Sequence, residues 1–212
     1  MVGLLDLLFP PSCVHCGRGG HWLCPQCIAA IVPAAPALRV PESLAGLWMA
    51  GDYEDPLRLA IQQLKYQGKR RLAEPLGRVL AETFRRQAQV QSLPDAVLPV
   101  PLHPQRQAER GYNQSALLAR VFCRLEGLQL VEDALRRSRD TPQQARMTRA
   151  QRQANVSGAF TCPKDHPMLV GRRVLLIDDV CTTGSTLSAC AEKLLAAGAR
   201  EVWGLVLARP AL

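Results

Sequence analysis

Residues 174–186 read VLLIDDVCTTGST, a short aliphatic run, two adjacent carboxylates, and then a cluster of small hydroxyl side chains around one glycine. Each part suits a different piece of a sugar phosphate. Asp178 and Asp179 at the C-terminal end of a buried strand can accept hydrogen bonds from two ribose hydroxyls, directly or through Mg²⁺. Thr182, Thr183, Gly184, Ser185 and Thr186 stand where a helix would begin, with Leu187, Leu194 and Leu195 following toward Gly198. Free backbone N–H groups and the positive end of the helix dipole favour a phosphate there, and the glycine lets the backbone approach it closely. The dipeptide alone would be an ordinary acidic strand end. Acid pair, hydroxyl run and glycine in one strand–loop–helix context make a phosphate-and-ribose loop.

A second constellation lies near the N-terminus. Cys13 and Cys16 form one C-x2-C pair, Cys24 and Cys27 another, and seven residues separate them. Four thiolates at that spacing make a complete tetrahedral set for one structural Zn²⁺, with Gly17 and Pro25 favouring the tight turns that aim N–H groups at sulfur. His15 and His21 are expected to be bystanders. Cysteines in a cytoplasmic chain are read as metal ligands before disulfides.

The elements that must position these groups can be traced along the 212 residues. Residues 33–46 contain Pro33, Pro36 and Pro41 with little amphipathic pattern and read as a linker, so we expect a zinc module with linker over 1–45 and a second domain over 46–212. Leu47–Tyr53 is a candidate strand. Leu57, Ala60, Ile61 and Leu64 mark a helix ending at Gly68, and Leu72, Leu76, Val79, Leu80 and Phe84 mark another. Residues 96–102, AVLPVPL, read as a buried strand, 103–113 as a polar loop, and a helix from Asn113 carries Leu117, Val121, Leu125 and Leu128. Repeated βα units of this kind build an open parallel sheet flanked by helices. Residues 135–152 are rich in donors and poor in apolar groups, a surface loop or a lid over a charged ligand.

The first nine residues are apolar but carry Asp6 and lack a basic flank and cleavage site, and no apolar run is long enough to span a bilayer, so a soluble cytoplasmic protein is expected. The net charge of +8 is concentrated, +6 over residues 56–86 and +5 over 139–173. Such blocks are either solvated helix faces or contacts for a phosphate-rich partner, a nucleotide-like ligand or nucleic acid. The aromatic content of 5% offers few rings for stacking bases, Tyr66, Tyr112 and Phe160 being the nearest to those blocks.

The string LLIDDVCTTGST resembles the signature of type I phosphoribosyltransferases. CVHC…CPQC, IQQLKYQGKRRLA, LPVPLHPQRQAERGYNQSALLA and RDTPQQARMTRAQRQANVSGAF make most of the chain resemble the ComF competence family (ComFC and GntX-like proteins). The resemblance implies a zinc ribbon joined to a phosphoribosyltransferase-like α/β domain, with a role in natural transformation and in handling single-stranded DNA alongside other competence-machinery proteins. It assigns Asp178 and Asp179 to ribose, Thr182–Thr186 to the 5′-phosphate of phosphoribosyl pyrophosphate with Mg²⁺, and Leu102, His103, Arg106 and Arg110 to the pyrophosphate side. It places Thr141, Gln144, Arg152 and Asn155 in the lid, and Lys65 and Tyr66 in a motif that suits a second phosphate contact. Cys181 receives no catalytic role. Three readings stay open: a DNA-handling protein that binds phosphoribosyl pyrophosphate with little or no turnover, an active transferase to a nucleobase or other small acceptor, and a regulator that senses the ligand through the same pocket.

Overall fold

The computed structural model describes residues 10–35, 40–88, 93–138 and 158–210. The elements, numbered along the chain, are helix α1 (Pro25–Ala29), strand β1 (Gly46–Asp52), α2 (Leu57–Tyr66), a 3₁₀ turn (Arg70–Leu72), α3 (Ala73–Gln87), β2 (Ala96–Pro99), α4 (Pro104–Arg110), α5 (Gln114–Glu126), β3 (Arg136–Arg137), β4 (Phe160–Thr161), β5 (Arg173–Val180), α6 (Ser185–Ala196) and β6 (Glu201–Arg209). Strands β1, β6, β5 and β2 form, in that order, a four-stranded sheet whose neighbours are all parallel. β3 and β4 make a separate antiparallel pair.

Both faces of the parallel sheet are covered, as parallel strands require. Alternate β5 residues go to opposite sides: Leu175 and Ile177 join a core with α2, α3 and α5, whereas Val174 and Leu176 join one with Leu187, Cys190, Ala191 and Leu194 of α6. The helices at 57–66 and 73–87 bury the expected stripes. On α5 the buried apolar positions are Leu118, Ala119, Phe122 and Cys123, about a third of a turn from the expected 117/121/125 stripe. The wide apolar arc of that helix explains the difference. Leu117 and Leu125 pack partly buried at its edge, and a Cβ on Gly77 would lie 2.5 Å from Val121 Cγ1, so that stripe lies close against α3 at Gly77.

Residues 103–113, expected as a polar loop, contain α4. It buries none of its residues, which is why no apolar period announces it. Its ends carry helix signals instead: His103 is the N-cap and accepts from the Gln105 N–H, Pro104 opens the first turn, and Gly111 closes it at φ 77°.

The N-terminal module is not spaced away from the sheet. Cys13, Leu23, Cys24 and Cys27 belong to the same buried cluster as Trp48, Leu57, Ile61 and Leu205. The Asp52 N–H donates to the Val32 carbonyl at 3.0 Å. Leu44 is buried against the α6 side of the sheet, and Ser43 Oγ lies 2.9 Å from Ser188 Oγ. Among the described residues no helix is long and apolar enough to cross a membrane.

Candidate functional site

β5 and β2 run side by side with Ile177 opposite Pro99, and the Val100 N–H donates to the Ile177 carbonyl at 2.9 Å. The loop after β2 therefore lies against the acid pair at the C-terminal edge of the sheet, where open α/β sheets bind ligands. Asn113 ties this edge together. Its Nδ2 donates to the Val100 carbonyl at 3.0 Å, and its Oδ1 caps α5 by accepting from the Ser115 N–H.

A cleft of about 500 Å³ opens there. Its walls include Lys65, Tyr66, Leu102, Arg106, Arg110, Asp178, Asp179 and Thr186, so residues from five separate stretches of sequence converge. Arg106 and Arg110 are four apart on α4, which turns both toward one side of the helix. His103 serves as the α4 cap. Thr141, Gln144, Arg152 and Asn155 lie outside the described residues. Glu109, Gln114 and Arg137 also line the cleft. No local sequence signal marks Arg137, which enters from β3, whereas Gln114 and Ser115 follow a visible Asn cap.

The two carboxylates differ in their surroundings. Asp178 Oδ1 accepts from Ser115 Oγ at 2.8 Å and from the Asp179 N–H at 2.9 Å. Burial, and then repulsion from Asp179, push its carboxyl up to about 7, against the opposing pull of Lys65, Ser115 and the Asp179 N–H. Because this folded value exceeds the ordinary one, the stability the group contributes is complete below about pH 4 and is lost as pH rises through about 7. Above that the ligand-free protein holds a charge that burial disfavours. Asp179 is 3% exposed. Its Oδ1 is 2.6 Å from Lys65 Nζ, while its buried Oδ2 has no hydrogen-bond partner among the described residues. Burial would lower the Lys65 ammonium, but the attraction of Asp179 and its hydrogen bond win, so its pKa is raised.

Gly184 stands at φ 77° before α6, and a Cβ there would meet Pro41 Cγ at 2.8 Å. Only glycine fits that turn without strain. Thr183 Oγ1 and Ser185 Oγ are 2.8 Å apart, and the Ser185 N–H reaches Thr183 Oγ1 at 3.4 Å, so the hydroxyl run is folded on itself at the helix start. Cys181 is buried, and its thiol is pushed up to about 11 by burial and by Asp178. It is a poor nucleophile.

The four N-terminal cysteines converge as their spacing predicted. Their sulfurs all lie within 4.8 Å of one another, with Cys13 to Cys27 at 3.7 Å and Cys16 to Cys24 at 3.6 Å. A tetrahedron with metal–sulfur bonds of ~2.3 Å has edges of ~3.8 Å, so the group could hold a metal ion. Burial works to raise the Cys13 thiol, yet N–H groups of Cys16, Cys24 and His15 bring it down to about 6, toward the thiolate a metal needs. His15 Nδ1 lies 3.3 Å from Cys27 Sγ, beside the set rather than within it.

Comparison with known proteins fits this geometry. The Phosphoribosyl transferase domain model matches residues 108–211. Competence protein F of Haemophilus influenzae is 32% identical over 202 residues, covering 93% of this chain and 85% of that one. The chain belongs to the ComF competence family. DNA utilization protein YhgH of Escherichia coli O157:H7 is 35% identical over 202 residues, 91% of this ComF-family chain and 87% of its relative. Competence protein ComFC of Streptococcus pneumoniae is 26% identical over 157 residues, 74% and 65% of the two chains. In this ComF-family protein the phosphoribosyltransferase-like sheet and the four-cysteine module are thus one packed unit with a polar cleft at the sheet edge.

Proposed function

We propose that this protein binds phosphoribosyl pyrophosphate in the cleft and acts in DNA uptake by handling single-stranded DNA. In this reading Asp178 and Asp179 take the ribose hydroxyls, residues 182–186 take the 5′-phosphate, and Leu102, His103, Arg106 and Arg110 form the pyrophosphate side. Mg²⁺ would be held by the ligand's phosphates and the acid pair, where it supplies neutralising charge. The observation that carries the reading is the buried Asp179 Oδ2, an acceptor with no hydrogen-bond partner among the described residues, beside a cleft lined by arginines. A donor hydroxyl satisfies that atom, and burying it unsatisfied is costly.

Calorimetry tests this. Changing Asp178 and Asp179 together to Asn is expected to weaken binding of phosphoribosyl pyrophosphate by at least about 2 kcal/mol, the loss of two charge-assisted hydrogen bonds. Since the ligand needs Asp178 ionised, the parent's affinity should rise with pH until about 7, by up to about tenfold per unit more than that of the Asp178→Asn variant. Equal affinities for parent and double variant, or parallel pH profiles, would remove the acid pair from the site. Pyrophosphate release across a panel of bases separates a binder from the alternative, an active transferase.

The DNA part of the proposal draws on the relatives' names, Competence protein F and DNA utilization protein YhgH, and on charge. Within the 56–86 block, Arg58 pairs with Asp55, Arg78 with Glu74 and Arg85 with Glu126. We place the DNA-facing part at Lys69, Arg70 and Arg71, three consecutive cations next to the cleft: Arg70 Nη2 donates to the Gly111 carbonyl at the end of α4, and the Arg71 guanidinium stands over Trp22. Three contacts to a single strand give a slope of about −2 in log affinity against log salt. Labelled single-stranded DNA should show that slope in the parent and a flatter one after Arg70→Ala and Arg71→Ala; binding that ignores salt would return these cations to a solvated face.

A further inference from the structure

We propose that Tyr66 is a ledge on which a planar nucleobase stacks, supplying the part of ligand recognition that the acid pair and the phosphate loop leave unfilled. The inference rests on the phosphoribosyl reading and adds the group at the other end of the ligand. Tyr66 closes α2, a helix whose Leu57, Ile61 and Leu64 are fully buried, yet its own side chain is 66% exposed. The ring lines the same cleft as Asp178, Asp179 and Thr186.

Two fixed neighbours hold it there. The preceding residue, Lys65, is clamped to Asp179. The Arg110 guanidinium stands over the ring with its carbon 5.4 Å from the centroid, and Arg110 in turn donates to Gln114 Oε1. A ring steadied by a cation on one side and open to solvent over most of its surface is arranged for stacking, since every base offers a π face. Tyr112 shows what a structural tyrosine looks like in this protein: it is 7% exposed, its hydroxyl donates to the Leu64 carbonyl, and Arg70 covers its ring. Tyr66 has none of that burial. A second role, a hydroxyl contact to phosphate, differs in one respect: it needs the oxygen, whereas stacking needs only the ring.

The base can belong to a mononucleotide or to a single strand, and the experiment has an arm for each. Binding of ribose 5-phosphate and of adenosine 5′-monophosphate is measured by calorimetry for the parent, Tyr66→Phe and Tyr66→Leu; binding of a thymidine oligonucleotide and an abasic strand of equal length is measured for the same three proteins. Stacking on one aromatic ring should give the base-bearing ligand at least about a tenfold advantage over its baseless counterpart. That advantage should survive in Tyr66→Phe and vanish in Tyr66→Leu, while the baseless ligand binds all three alike. Loss in the mononucleotide arm assigns the ledge to the phosphoribosyl ligand; loss in the oligonucleotide arm alone assigns it to a strand. An advantage that persists in Tyr66→Leu in both arms, or that falls equally in Tyr66→Phe, overturns the proposal. A parent that binds neither ribose 5-phosphate nor phosphoribosyl pyrophosphate removes the phosphoribosyl reading, and the ledge then stands or falls on the oligonucleotide arm.

Discussion

Cys24→Ser is expected to release one zinc per chain and to destabilise the sheet domain as well as the N-terminal module. The sequence alone predicts a local effect, because two C-x2-C pairs followed by a proline-rich stretch look like a detachable knuckle. The packing argues for a wider one. Cys24 is fully buried, and Cys13, Leu23 and Cys27 share its cluster with Trp48 on β1 and Leu57 and Ile61 on α2. Trp22 lies under the Arg71 guanidinium at 5.9 Å, and the Gly51–Asp52 end of β1 is held by residues 31–33. Structural zinc in small modules supplies on the order of 10 kcal/mol of folding free energy, so a three-thiolate remnant leaves a poorly ordered cap over one end of the core. Metal analysis of the purified variant should show less than one equivalent. Thermal unfolding followed by far-ultraviolet dichroism, which reports the sheet domain, should shift down together with tryptophan fluorescence, to which Trp22 of the module and Trp48 and Trp203, stacked at 4.7 Å, all contribute. Full zinc content would remove the metal assignment. Lost zinc with an unshifted core transition would instead restore the detachable module.

Those two outcomes bear on what the sequence could reveal. The four-cysteine cluster and the strand–turn–helix that carries the acid pair were legible because their signals are local: four thiols in fifteen residues, and acid pair, hydroxyls and glycine in one turn. The parallel sheet was legible from alternating strand and helix signals. What stayed hidden depends on contacts across the chain. Helix α4 is all polar, so only its caps betray it, yet it brings Arg106 and Arg110 to the cleft. Ser115 reaches Asp178 over 63 residues of sequence. One hidden contact did leave a trace. Leu57, Ile61 and Lys65 follow one another at i, i+4, i+8 on α2, so a lysine falls on the apolar face, and a lysine there requires a carboxylate partner. Asp179 is that partner, 114 residues away.

Replacing Lys65 by Met is expected to cost about 3–5 kcal/mol, one of the largest effects of a single substitution in the cleft. Methionine keeps most of the aliphatic stem that lies along α2 and removes only the ammonium, so the loss reports charge rather than packing. Lys65 and Asp179 have side chains 17% and 4% exposed and approach to 2.6 Å. With Asp179 Oδ2 already lacking a partner among the described residues, the variant strands a carboxylate in a buried site next to Asp178, which that same ammonium helps to keep ionisable. Asp179→Asn in the Lys65→Met background should recover much of the stability, because the stranded charge is gone. The two changes will not add, since each removes the same pair. Urea unfolding of parent, both single variants and the double at pH 8 closes this cycle. The same four proteins separate structure from ligand recognition: the double variant should fold yet bind phosphoribosyl pyrophosphate weakly, having lost the Asp179 acceptor. A Lys65→Met protein as stable as the parent would mean that Asp179 takes up a proton or reaches water at no cost, and the pair would then be a surface contact rather than the element that aims the second carboxylate into the cleft.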